Sequence, residues 1–224
     1  ECEFLVFDET LINSICLAGL EGADPILKTG QVRWYKPIDP KSTYIVAHDP
    51  SLGTGGNYAG IEIFELPSLE QVGEWQHNLT PIQQQVKIFR DMLKYIQDEL
   101  GGEESFNQIY WSVENNTVGE AALVSLNEYG EANIPGQFLS EAGKKRKGFN
   151  TSAKTKLAAC AKFKTLLESK KLTVNSRSLI TELKAFIAAG GSYEAKIGET
   201  DDLVMATLLT VRMIQHLSEF HYDL

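Results

Sequence analysis

Residues 43–48 (TYIVAH) make a β-branched and aromatic run that stops at Asp49-Pro50 and a glycine-rich turn, Gly53-Thr54-Gly55-Gly56, so a strand followed by a turn is expected. Residues 60–66 (GIEIFEL) alternate apolar with polar positions and end at Pro67, and residues 72–77 (VGEWQH) follow the Pro67-Ser68 turn. These three runs predict an antiparallel meander. Thr80 and Pro81 then supply an N-cap and a first-turn proline to a helix through Leu100. Val86, Phe89, Leu93 and Ile96 recur on one of its faces, and Gly101-Gly102 ends it. Residues 108–113 (QIYWSV) predict a mostly apolar strand running into Glu114-Asn115-Asn116, after which Thr117 and Glu120 read as a capping box for a helix to about Tyr129.

A weaker strand is expected at 137–140, followed by a basic loop at 144–147. Thr151 or Ser152 caps the next predicted helix, which runs to about Glu168; residues 179–187 carry a further helical period, and 192–196 read as a short polar strand or hairpin arm. Thr200 caps a last amphipathic helix containing Leu203, Val204, Leu208, Val211 and Ile214. Three antiparallel strands followed by alternating helices and parallel strands describe an α/β domain whose mixed central sheet is covered on both faces. Residues 41–224 form that domain; residues 1–40, with Pro25, Pro37 and Pro40 and no sustained period, read as a linker or edge strap.

Composition narrows the picture. The 224 residues, 43% hydrophobic and 23% charged, suffice to bury the core of one domain. The start at Glu1 has neither a basic nor an apolar leader and reads as a fragment boundary. No stretch approaches the length of uncharged apolar chain that spans a bilayer. Cys2, Cys16 and Cys160 match no zinc-ligand spacing and predict reduced thiols. The net charge of −9 argues against a phosphate-binding coat, yet residues 141–177 hold eleven Lys or Arg against two acids. A basic segment on an acidic body suits one polyanion track beside a carboxylate-rich site.

Metal-assisted phosphodiester hydrolysis needs carboxylates from separate chain segments, because hard cations must be held with positions open for water and phosphate. Asp49 ends the first core strand, Glu114 ends the fourth, and Asp201-Asp202 open the last helix. If the two strands are parallel neighbours, these acids converge at one end of the sheet. Each also has a plainer reading: a turn-forming Asp before Pro, a strand reaching solvent, and first-turn acids complementing a helix dipole. His48 points to the opposite face of its strand from Asp49. His77, His216 and His221 have no ligand spacing, and Trp75 and Trp111 are expected in the core.

The stretches HDPSLGTGGNYAGIEIF, IYWSVENNTVGEAAL and GETDDLVMATLL, in this order and spacing, resemble the nuclease domain of the large terminase subunit of tailed phages. ECEFLVFDETLI resembles the stretch joining the motor domain to that nuclease, and KKRKGFNTSAKTK its basic loop and following helix. The resemblance implies an RNase H-like fold, related to junction resolvases and retroviral integrases. It also implies DNA cleavage by Mg2+ or Mn2+, with two ions held by Asp49, Glu114 and one of Asp201 and Asp202, of which Asp202 is favoured. Where relatives often carry an acid after the double glycine this chain has Asn57, which is left out of the ligand set. Lys144, Lys145, Arg146, Lys147, Lys154 and Lys156 would neutralise phosphates of double-stranded DNA; a solvated loop is the alternative.

The further partners implied are an ATPase motor domain preceding residue 1, the small terminase subunit and the phage portal, with the host cytoplasm at the procapsid as the place of action and no membrane. No phosphate loop of the G-x-x-x-x-G-K-[ST] kind occurs here. Three rivals stand beside this reading. One is a junction resolvase of the same fold, one is an actin-like or sugar-kinase ATPase built on the Asp49 to Gly56 turn, and one is a structural docking module.

Overall fold

The computed structural model describes residues 4–220. In chain order its elements are β1 (Phe4–Leu5), α1 (Glu9–Ile15), β2 (Leu27–Thr29), β3 (Val32–Trp34), β4 (Thr43–Asp49), β5 (Ala59–Leu66), β6 (Glu70–His77) and α2 (Ile82–Glu99). There follow β7 (Ile109–Val113), α3 (Thr117–Glu128), β8 (Gln137–Phe138), α4 (Ala153–Glu168), α5 (Arg177–Lys184), β9 (Phe186–Ala189), β10 (Ser192–Ala195) and α6 (Asp202–Phe220).

A seven-stranded sheet runs in the order β2-β3-β6-β5-β4-β7-β8. The expected meander β4-β5-β6 is antiparallel, and β7 and β8 join β4 in parallel across the helical connections. β4 and β7 are buried on both faces, as central strands of a covered sheet must be. One face packs on α2 and α3, where Val86, Phe89, Leu93 and Ile96 are fully buried. Burying each such side chain contributes roughly 1.5–3 kcal/mol. The other face packs on α6, whose Leu209, Met213 and Leu217 lie on Ile45 and Ala47 of β4. Behind α6, helices α1, α4 and α5 close a second apolar cluster around Phe163, Leu167 and Leu183.

Residues before 41 supply more than an edge strap. β2 and β3 form a hairpin that extends the sheet beyond β6, and Phe7, Ile12 and Trp34 are core residues. β1 pairs with β9 of a small sheet, β1-β9-β10. Cys16 and Cys160 are buried as free thiols; Cys2 and His221 lie outside the described residues. Among the described residues no helix is long and apolar enough to cross a membrane.

The helix ends depart from expectation in an instructive way. Pro81, not Thr80, occupies the N-cap of α2, and the Thr80 hydroxyl is engaged by His77 Nδ1 at 2.7 Å. Asn116 rather than Thr117 caps α3, accepting from Gly119 N; Asn is the stronger capping residue, and the start moves to it. Ser152 caps α4 in a reciprocal box with Thr155. The helical period of 179–187 breaks after Lys184, because Phe186 and Ile187 pair with β10 and, for Ile187, also with β1. Thr200 does not cap α6: its hydroxyl donates to Glu182 at 2.8 Å.

Glu62 and Glu74 face each other across β5 and β6, both fully buried, with Gln71, Ser176 and Arg33 bonded to the pair. Burial first, then the charge of Glu74, holds the Glu62 carboxyl well above its ordinary 4.5. The folded state therefore keeps a proton that the unfolded chain releases. Stability falls as pH rises above that ordinary value, by up to about 1.4 kcal/mol per unit. Glu62→Gln should flatten this decline when denaturation midpoints are compared between about pH 5 and pH 8. An unchanged pH profile would mean that Glu62 is ionised in the fold.

Candidate active site

The chemistry begins with strand alternation. His48 of β4 faces α2, fully buried against Phe89 with Nε2 3.3 Å from Gln85, and burial lowers its pKa to about 4. The next side chain, Asp49, therefore emerges on the α6 face. Parallel pairing carries β7 alongside β4, and Glu114 N donates to His48 O at 2.9 Å just beyond Val113. The same alternation turns Glu114 toward Asp49.

Asp49 and Glu114 are 9% and 8% exposed and lie close enough for each charge to act on the other. Burial, then the charge and hydrogen bond of Glu114, then the charges of Asp202 and Asp201, hold Asp49 well above the usual carboxylate range. Asp202 opens α6 across the same cleft, of about 430 Å³, which Ser51, Asn57, Tyr58 and Asn116 also line. Burial and Asp201 raise Asp202 to about 6, opposed by the backbone N–H of Tyr58. Asp201 lies 3.8 Å from the ammonium of Lys156. Asp201 lines the same cleft and acts on Asp49 as well, though less strongly than Asp202.

Side chains that the sequence did not mark hold these groups in place. Gln85, fully buried on α2, donates to Ser51 O at 2.8 Å and Thr80 O at 2.7 Å, pinning the turn that follows Asp49. Asn115 donates to Lys147 O at 2.6 Å and its backbone N–H to Phe149 O at 2.7 Å, which ties the basic loop beside Glu114. Arg212 of α6 bonds Glu141 at 3.1 Å and lies over the Phe149 ring, with Glu114 near enough to act on its charge. Glu182 binds the first turn of α6. No periodicity or motif announces any of the four.

Lys144, Lys145, Arg146, Lys147 and Lys154 are exposed, whereas Lys156 is half-buried and drawn toward Asp201. A larger cavity of about 530 Å³ lies between α3 and the basic loop, walled by Trp111, Leu123, Leu126, Ile134 and Phe138. Glu120, Glu131, Lys145, Arg146 and Lys147 line it too, but it lacks the convergent carboxylates of the smaller cleft.

Among the described residues no three such ligand groups are already gathered around one point. The Asp49–Glu114 pair nevertheless fits a hard divalent cation. The donors are all oxygen, and a cation between two buried carboxylates would relieve the repulsion between their charges.

Solved structures share this architecture. The large terminase nuclease from thermophilic phage G20c with bound magnesium is similar at 17% identity, over 90% of this chain and 96% of that chain, with a TM-score of 0.65. The Thermus phage P74-26 large terminase nuclease domain is similar at 16% identity over 85% and 90%, TM-score 0.59. The human cytomegalovirus terminase nuclease domain is similar at 10% over 85% and 89%, TM-score 0.53. The family model of the terminase RNaseH-like domain matches residues 46–213, from within β4 through most of α6, and the chain belongs to that family.

Proposed function

We propose that this chain is the nuclease half of a large terminase subunit, an endodeoxyribonuclease that cuts concatemeric viral double-stranded DNA using two divalent cations, Mg2+ or Mn2+. The observation that carries the reading is the meeting of buried Asp49 and Glu114 from parallel neighbouring strands, with Asp202 across one cleft. Structures of the same fold are described with bound magnesium, cobalt and zinc in phage G20c and with manganese in the bacterial virus Sf6. The corresponding partners are double-stranded DNA, an ATPase motor domain, the small terminase subunit and the portal, met in the host cytoplasm at the procapsid.

Bound Mg2+ or Mn2+ supplies Lewis acidity toward water and phosphate oxygens. Asp49 and Glu114 contribute by presenting carboxylate oxygens from the two strand ends. Asp202 adds a third carboxylate from α6, and Gln85 and Asn115 keep the two strand ends from drifting. Lys144, Lys145, Arg146, Lys147 and Lys154 balance the backbone charge beside the cut, with Lys156 bridging that track to Asp201.

The test is cleavage of supercoiled plasmid DNA by the purified chain with MnCl2 or MgCl2, which chelation should abolish. Absence of metal-dependent nicking would sink the nuclease reading in favour of a docking or ATPase module. In the same preparation, replacing Lys144, Lys145 and Lys147 with Glu should weaken DNA binding and reduce the log–log salt slope by about 0.9 for each lost contact. An unchanged slope would show that the loop is merely solvated.

A further inference from the structure

The first turn of a helix leaves backbone N–H groups unpaired, and the residue at its N-cap ordinarily folds its own side chain back onto the second and third amides. In α6 the N-cap position belongs to Asp201, whose carbonyl accepts from Met205 N at 2.8 Å. Asp is among the strongest capping residues. Yet the amides of Leu203 and Val204 donate instead to Glu182 Oε2, at 2.7 and 2.9 Å.

Glu182 reaches them from α5, and its other oxygen accepts from Gln76 Nε2 at 2.9 Å and Thr200 Oγ1 at 2.8 Å. All four contacts come from donors, and the side chain is buried. The turn is also seated closely on β5: a Cβ at Gly60 would lie 3.2 Å from Asp202 O and 3.3 Å from Leu203 Cδ2.

We infer that Glu182 is a positioning residue for cleavage: by capping α6 in place of Asp201 and Asp202, it relieves both acids of that role and keeps Asp202 at the cleft of Asp49. This rests on the proposed metal role of Asp202. Without the substitute cap, the vacant amides would recruit the nearest carboxylate, Asp201 or Asp202, and turn it away from the cleft. Loss of Glu182 therefore weakens metal binding more than it weakens the fold.

The experiment measures, for the parent chain, Glu182→Ala, Glu182→Gln and Asp202→Asn, the MnCl2 concentration giving half-maximal rise in Tm and half-maximal plasmid nicking. Glu182→Ala should raise both midpoints by about tenfold or more, the scale of effects from groups that orient metal ligands. Glu182→Gln keeps an oxygen for the two amides and should stay within about twofold of the parent. This separates the cap from the charge. A parent-like midpoint in Glu182→Ala, or a Gln variant as impaired as the Ala variant, overturns the inference. If Glu182→Ala does not fold, the pair Gln76→Leu and Thr200→Val, which strips the other oxygen, should shift the midpoints about threefold, and no shift overturns it equally. A parent that gives no Mn2+ response, or an Asp202→Asn variant that matches it, removes the Asp202 metal role itself. With a responsive parent and an impaired Asp202 variant, the midpoints of the Glu182 variants alone decide.

Discussion

Asp49→Asn and Glu114→Gln are each expected to abolish metal-dependent cleavage, by at least about three orders of magnitude, the several kcal/mol that metal stabilisation of transition-state charge supplies. Both replacements are nearly isosteric and remove charge from a place where carboxylates already crowd. Relief of repulsion between the two buried groups means that the metal-free Tm should hold or rise. DNA binding should largely persist because the basic track is untouched. The rise in Tm that MnCl2 gives the parent should shrink in both variants, since a ligand stabilises only through the state that binds it. Asp202→Asn should behave like them, while Asp201→Asn, which frees Lys156, should lose much less. Full nicking by the Asp49 variant would refute the site.

The second large effect comes from one methyl group. Gly119 lies in the first turn of α3, and a Cβ there would sit 1.8 Å from the backbone oxygen of Glu114 and 2.8 Å from its carbonyl carbon. Ala is the better helix former by about 1 kcal/mol, so propensity alone would make Gly119→Ala stabilising. The clash reverses that sign, because rigid backbone, not a flexible side-chain tip, must move. Overpacking of this kind costs about 1–3 kcal/mol or more. The nearest group that can yield is the strand end bearing Glu114, and a misplacement of about 1 Å can cost a hundredfold in rate. Gly119→Ala should therefore lower Tm and lower nicking at saturating MnCl2 together. A raised Tm with full activity would show that α3 approaches Glu114 less closely.

Much of the catalytic end of the sheet is local in origin. β4 stops at Asp49 because Pro50 and the glycines after it cannot continue a strand, and β7 stops just before Glu114 because Asn116 caps the helix that follows. The period of two then decides which face each acid takes, and apolar recurrence at three and four residues places α2 and α6. These rules act over a few residues and are written in the chain itself.

The rest depends on which segments meet. The hairpin β2-β3 carries too few residues for a period to show, and it becomes sheet because β6 offers a free edge. Asp201 and Asp202 both suit the start of a helix, and only the folded arrangement brings both to the cleft of Asp49, with Lys156 beside Asp201. Glu182 reads in the sequence as one polar position of an amphipathic helix; its four partners come from β6 and the start of α6, segments far from it along the chain. The sequence by itself determined the central strands, the helices α2, α3, α4 and α6 and the faces on which Asp49 and Glu114 emerge, since those follow from backbone geometry between near neighbours. Tertiary structure alone decided which carboxylates crowd into one buried cleft, which stands beside a lysine and which caps a foreign helix, because burial and charge–charge energies depend on distances that no local pattern encodes.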